Sequence, residues 1–475
     1  MESPQTAAGL LKKRPGHARP PGEPPIMIVW QDRLFRRAHR PAPAADQGRT
    51  GMAEQDIAVE GLSFARQIFE DIASLTKDPA GGYTREGYSA KENEIHDYFK
   101  KLGRSLKLEE KTDPAGNLYL TLPGRHRELS AFMSGSHADS VPQGGNYDGL
   151  AGIVAPLTCL WWMEKTGFRP QRDVTVLVTR MEESSYFGKP YVGTMALTGK
   201  LRPEDLQLRH RTRNETLGEA ITRAGFRPEE MVTGRPLSDL GGIAAFVELH
   251  IEQGPRLDSK PVKRIGVVTG IRGNLRHKAI RCVGETAHSG AVDYEFRHDA
   301  VLATAELLMS MEKHWIHRLD RQEDLVFTSG VVKTDPSASI TKVPGLVTFC
   351  IDMRSQSMGT LERFHEMLVR DTDRIAKKRG VRFEFDKMLR TECARLNPRL
   401  VAKIANTAAA HDIPFLVMPS GAGHDAAVMA NAGVPSAMIF VANQKGSHNP
   451  NEDMKIEDFM QGVKLLLLLI ENYDL

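Results

Sequence analysis

The side chains that can act together chemically lie in five places. They are Ser136-His137-Ala138-Asp139, Gly144-Gly145-Asn146-Tyr147-Asp148-Gly149, Glu182-Glu183, His250 and Ser447-His448-Asn449-Pro450-Asn451-Glu452. Three imidazoles with two or three carboxylates suit one or two divalent first-row cations: zinc, manganese, cobalt or nickel. A carboxylate has two oxygens, so Asp148 is the natural bridge between two ions. A pair of cations about 3.5–4 Å apart lowers the pKa of a shared water and polarises a carbonyl. The adjacent glutamates then divide the work. One ligates, and the other takes a proton from the activated water and passes it to a leaving nitrogen. Asp139, two residues after His137, is expected to orient that imidazole through its other ring nitrogen.

What makes these groups a set is the element that each one follows. Apolar runs at Ala131–Ser134, Val174–Thr179, Ala244–Leu249 and Ser436–Val441 read as buried strands, as does Asn117–Leu122. His137, Glu182-Glu183, His250 and His448 each come just past one of the first four, and Asp148 opens a helical run from Gly149 to Glu164. In an open α/β sheet, ligands gather at the carboxyl ends of the strands. Chain separations of 11, 35, 67 and 198 residues can therefore close at one rim. A single histidine or a Glu-Glu pair after a strand is ordinarily a surface feature; the conjunction at one edge is not. A further helix should begin at Ser89, an N-cap, and run to about Leu102.

The middle of the chain has a different texture. From Lys278 the order is strand, helix (Arg297–Lys313), strand (Leu325–Lys333), strand (Gly345–Arg354), helix (Thr360–Arg379) and strand (Val381–Asp386). This β-α-β-β-α-β order is ferredoxin-like. The expected fold is thus α/β, a mixed sheet flanked by helices, with this smaller unit inserted. The expected division is a leader over 1–51, catalytic metal domain over 52–270 and 390–475, and inserted domain over 271–389. The leader holds eight of the 27 prolines and a net charge of +5, which predicts disorder, and Met52 offers an alternative start.

Composition excludes several classes. The formal net charge of +3 gives no basis for nucleic-acid binding, and the longest apolar run, Leu465–Ile470, is far too short to span a membrane. That run reads as one buried turn of a terminal helix. Four cysteines without a CxxC spacing read as free thiols, which suits a cytoplasmic protein.

Taken in order and spacing, SGSHADSVPQGGNYDG, RMEESSYFG, ELHIEQGP, PSGAGHDA and SHNPNE resemble the hydantoinase/carbamoylase family of dinuclear-metal amidohydrolases. That family includes N-carbamoyl-L-amino-acid hydrolases, β-ureidopropionases and allantoate amidohydrolases. The resemblance runs from about Gly61 to the C-terminus and implies a zinc aminopeptidase-like catalytic domain with an inserted lid and dimerisation domain. It implies two divalent metal ions per subunit, one held by His137, Asp148 and His250 and the other by Asp148, Glu183 and His448. It also implies Glu182 as general base and Gln253 as a substrate contact. His288 would be a lid histidine that reaches the partner subunit's site and stabilises the oxyanion. Arg354 would grip the substrate carboxylate, with the backbone near Gly421 and Gly423 facing it. The implied activity is hydrolysis of a linear non-peptide C–N bond in an N-carbamoyl-L-amino acid or related ureido acid, giving amino acid, carbon dioxide and ammonia. Allantoate hydrolysis, and an aminoacylase or peptidase on the same scaffold, are the alternatives. The chain departs from the family pattern at Ala291-Val292-Asp293-Tyr294, at Ser184-Ser185-Tyr186, and at Thr341-Lys342, where many members carry an asparagine. The metal set is intact; the substrate-side contacts are what these changes leave open.

Overall fold

A computed structural model describes residues 57–474. The leader expectation for residues 1–51 lies outside them. The main body is a nine-stranded mixed sheet. Its strands are β1 (Glu109–Thr112), β2 (Leu118–Leu122), β3 (Ala131–His137), β4 (Val174–Thr179), β5 (Ile243–Ile251), β6 (Ile265–Ile271), β15 (Ala394–Arg395), β16 (Phe415–Ser420) and β17 (Ser436–Val441). The path runs β1-β2-β4-β3-β5-β17-β6-β15, with β16 also on β6. Four neighbours, β4, β3, β5 and β17, are parallel, so their carboxyl ends share one edge. Val174–Thr179 and Ser436–Val441 are buried throughout, as a sheet covered on both faces requires.

Helices α1 (Leu62–Thr76), α2 (Ala90–Ser105) and α3 (Leu150–Thr166) come from the first half of the chain. Ser89 caps α2 by accepting from the Glu92 amide, and the helix runs one turn beyond the expected Leu102. Helix α3 is apolar nearly all round and correspondingly buried. It starts at Gly149, which has φ 69°; a Cβ there would lie 2.5 Å from the His137 ring, so only glycine lets the helix begin this close to the imidazole.

The second sheet has six strands. They are β7 (Gly273–Val283), β9 (Val326–Thr328), β10 (Val332–Thr334), β12 (Leu346–Ser355), β13 (Arg382–Glu384) and β14 (Leu389–Thr391). Helices α4 (Ala300–Asp320) and α5 (Met358–Arg379) cover one face and form a separate core with it, including Leu307, Phe349, Met353 and Phe364. Strand β12 alternates: Val347, Phe349, Ile351 and Met353 face the helices, while Asp352 and Arg354 lie on the opposite, open face. The strand expected over Leu325–Lys333 is two short pieces, β9 and β10, broken around Ser329-Gly330-Val331. A two-stranded ribbon, β8 (Ala287–His288) with β11 (Lys342–Val343), is an addition that the sequence did not suggest. Helices α6 (Pro398–Ala410), α7 (Asp425–Asn431) and α8 (Ile456–Glu471) complete the main body, and Leu465–Leu467 are buried within α8. Among the described residues no helix is long and apolar enough to cross a membrane.

Candidate metal centre

His137 ends β3, His250 is the penultimate residue of β5, and Glu182-Glu183 and His448 follow β4 and β17. All of them lie at the shared carboxyl edge. Two groups of ligand atoms form there, each with all its atoms within 4.8 Å of one another: His137, Asp148 and His250; and Asp148, Glu183 and His448. Asp148 belongs to both. Its Oδ1 lies 3.5 Å from His137 Nε2 and 3.2 Å from His250 Nε2, and its Oδ2 lies 3.3 Å from His448 Nε2. His448 Nε2 is 3.1 Å from Glu183 Oε1.

The ring hydrogen bonds fix what these atoms offer. His137 Nδ1 meets the Asp139 carbonyl at 3.0 Å, and His250 Nδ1 meets the Ile251 carbonyl at 2.9 Å. A carbonyl only accepts, so each Nδ1 carries a proton, and Nε2 is the ring atom left to face Asp148. Both Nε2 atoms converge on Asp148 Oδ1, a buried oxygen without a hydrogen-bond partner among the described residues, and His250 Nε2 also accepts from the Gly149 amide at 3.2 Å. Three electron-rich atoms in one dry pocket fit a divalent cation.

The electrostatics agree. Burial would push His137 and His250 down, but Asp148 raises both, joined by Asp139 at His137, and this holds them above the usual imidazole range. His448, beside Asp148 and Glu183, is pushed up to about 11. Burial would raise Asp148, yet the three imidazoles hold it well below the ordinary carboxylate value. A centre that shifts its groups this way attracts positive charge. Glu182 is different: burial, and then Glu183 and Asp425, push its carboxyl well above the ordinary value against the pull of His137. A carboxyl raised in this way is suited to taking up a proton.

The backbone around the centre is held in place by buried groups. The Asp139 carboxylate accepts from the amides of Glu182 (2.9 Å) and Glu183 (3.0 Å). Asp139 also stands at the other ring nitrogen of His137. The Asp139 carbonyl meets the His137 ring, while the carboxylate, 3.5 Å from that ring, is committed to the two glutamate amides. Met181, just before them, has φ 48°, and its amide is held by Glu92 Oε1. Gln253 (φ 63°) and His448 (φ 59°) are also left-handed, a strain that clusters at functional sites.

Several residues that position the site were not singled out from the sequence. Arg85 is fully buried and donates to the carbonyls of Ala138 (2.9 Å) and Asp148 (3.1 Å). Glu452 accepts from the amides of Tyr147 (3.0 Å) and Asp148 (3.2 Å) and lies within the SHNPNE run, which was its only signal. The Ser447 hydroxyl sits between Asp148 Oδ2, at 2.6 Å, and the Glu452 carboxylate. Glu248 and His424 form a third group with His250, but the Glu248 carboxylate already accepts from Ser136 and from the Ala426 amide. A glutamate in the middle of an apolar strand was a signal that could have been read.

Of the expected substrate contacts, Gln253 is joined to the centre: its amide donates to Asp148 Oδ2 at 2.7 Å. Arg354 donates to the Gly421 carbonyl at 2.8 Å from the open face of the second sheet, with its other nitrogens on Asp352. Gly423 lies in the same loop, between β16 and α7. His288 is not gathered with the ligand atoms. It is exposed on the β8–β11 ribbon, and its Nδ1 accepts from the amides of Gly290 and Ala291.

A mixed sheet carrying this carboxyl-edge constellation defines a metal-dependent hydrolase, and comparison with known proteins agrees. The family described as Peptidase family M20/M25/M40 matches residues 133–472. An allantoate amidohydrolase of Escherichia coli is 35% identical over 416 residues, covering 86% of this chain and 98% of that protein. An N-carbamoyl-L-amino acid amidohydrolase of Geobacillus stearothermophilus is 30% identical over 416 residues, covering 86% and 97%. The crystal structure of an amidase of the hydantoinase/carbamoylase family from Burkholderia multivorans superposes with a TM-score of 0.78 at 27% identity, covering 86% of this chain and 97% of that one. The chain belongs to the M20/M25/M40 family, whose enzymes are metal-dependent, and it is an amidohydrolase acting on linear amides.

Proposed function

We propose that the chain hydrolyses the ureido C–N bond of a small ureido acid, an N-carbamoyl-L-amino acid or an allantoate-type compound. The observation that carries this reading is the convergence at the carboxyl edge of two groups of ligand atoms that share Asp148. His137, Asp148 and His250 would hold one cation, and Asp148, Glu183 and His448 a second. Zinc, manganese, cobalt and nickel all suit the donor set. Bound there, divalent cations supply Lewis acidity and make water a nucleophile at neutral pH.

The protein groups do the rest. Glu182 takes a proton from the attacking water and returns it to the nitrogen that leaves, so water adds across the C–N bond. The amine is released as an amino acid and the carbamate breaks down to carbon dioxide and ammonia. Gln253 and Arg354 hold the substrate, the latter by its carboxylate. His288 accepts two loop amides at Nδ1, which leaves its proton on Nε2, ready to donate to a carbonyl oxygen that gains charge.

We place His288 in the site of a second copy, in a two-fold homodimer. Helix α4 exposes Leu302, Met309 and Ile316, spaced by seven residues, and it packs against β9, near the edge strand β10. Val331 and Val332, at that edge, are exposed as well. An open edge strand with an apolar seam beside it suits pairing with its own copy. Four free cysteines fit a reducing cytoplasm. The allantoate reading is favoured by the 35% identical relative.

The test is ammonia release by metal-reconstituted protein on N-carbamoyl-L-amino acids, allantoate and other ureido acids, against N-acyl-amino acids and dipeptides. Turnover on the ureido panel is expected. Turnover confined to acyl-amino acids or dipeptides refutes the reading.

A further inference from the structure

A cavity of about 290 Å³ adjoins the metal centre, and Gln253, Arg272, Met418, Gly421, Ala422 and Phe440 help to line it. Gln253 links it to the centre through its hydrogen bond to Asp148. The volume is at the low end for small-molecule sites, so the occupant is small.

The two arginines beside Gly421 differ in what they have left to give. Every nitrogen of Arg354 already has a partner, Nε and Nη2 on Asp352 and Nη1 on the Gly421 carbonyl, so only the second hydrogens of its two terminal nitrogens are left for the substrate carboxylate. In Arg272, Nε lies 3.0 Å from both Asp324 oxygens and Nη2 also bonds Asp324, while its backbone amide donates to the Ser420 carbonyl. Asp324 is itself fixed by the Gln356 amide at 2.8 Å. The guanidinium plane is therefore set, and Arg272 Nη1 makes no hydrogen bond among the described residues. A Cβ on Gly421 would lie 3.5 Å from that nitrogen, so the glycine keeps the space before it open. The other charged groups along the cavity are Glu252, which accepts the amides of Arg256 and Leu257, and Arg256.

Resting on the ureido-acid reading, we infer that Arg272 determines specificity, its Nη1 donating to an acceptor oxygen on the substrate arm remote from the bond that is cut. Ureido acids whose arm ends in a carboxylate, a carboxamide or a second ureido group fit this donor. An alkyl arm would sit against Met418 and Phe440 and bury the donor unpaired, which costs binding.

The experiment compares kcat/KM for N-carbamoyl-L-glutamine, N-carbamoyl-L-glutamate and allantoate with that for N-carbamoyl-L-norleucine, in the metal-reconstituted wild type, Arg272→Lys and Arg272→Met. Lysine retains a cation for Asp324 but lacks the free arm, so it decides the case if the methionine variant folds poorly; melting temperatures are read alongside. Wild type should prefer acceptor-bearing substrates by at least about tenfold, and Arg272→Lys should lose most of that preference. The ranking among the three shows whether carboxylate, amide or ureido is read. Equal handling of glutamine and norleucine derivatives, or a preference unchanged in Arg272→Lys, overturns the role of Arg272 alone. No turnover of any ureido acid overturns the underlying reading and this inference with it.

Discussion

Replacing Glu182 by glutamine separates proton transfer from metal binding. The Glu182 carboxyl belongs to neither group of converging ligand atoms, and its backbone amide is held by Asp139, which the substitution leaves untouched. The variant should therefore keep the wild-type metal content. Removing a positioned general base typically costs 10²–10⁴ in rate. At 1.36 kcal/mol per tenfold, a loss of about 10³ corresponds to about 4 kcal/mol of transition-state stabilisation. Stability should move the other way. Glu182 is held above its ordinary value of 4.5, so above that pH the folded chain binds more protons than the unfolded one, and stability falls as pH rises. The glutamine lacks this term. The metal-free variant should thus melt above metal-free wild type at pH 8, with the gap closing towards pH 4.5. The assays are ammonia release, elemental analysis and thermal unfolding across pH. Full turnover in Glu182→Gln, or loss of its metal, refutes the assignment.

Two further outcomes are expected. In Asp148→Asn, the Gln253 amide nitrogen donates to the Oδ2 position, so the asparagine oxygen should stay there and turn its NH2 towards His137 and His250. The protein should fold while elemental analysis finds less than half the metal and activity falls by about 10³ or more; wild-type metal content would refute the shared-ligand geometry. His96 is buried with both ring nitrogens unbonded and burial holds it well below 6.5, so wild type should lose stability as pH falls through about 6.5. His96→Phe should gain about 1–3 kcal/mol in urea unfolding at pH 6 and lose that pH dependence, and an unchanged dependence would refute it.

The sheet edge was legible because four apolar strands announce themselves and each is followed by a group able to ligate. Val174–Thr179 and Ser436–Val441 fall where the apolar runs predict. What escaped was carried by bonds between distant parts of the backbone. Arg85 and Glu92 hold loops that begin far along the chain, and a buried arginine has no local signature. Sequence proximity suggests Asp139 as a partner for the adjacent ring, but gives no hint that its carboxylate also reaches amides more than 40 residues away. The break between β9 and β10 follows from Ser329-Gly330, polar and flexible residues within an otherwise strand-like run. Arg272 carries no local signal at the end of β6; what sets it apart is a fork pinned on one side only, by Asp324.

The two oxygens of Asp139 each hold one of a consecutive pair of glutamates. The proposed proton carrier and the proposed ion holder are thereby moored to the same post, and neither can drift without dragging the other. A change at that post is therefore expected to disturb both proposed roles at once, whereas a change in the walls around the substrate is not.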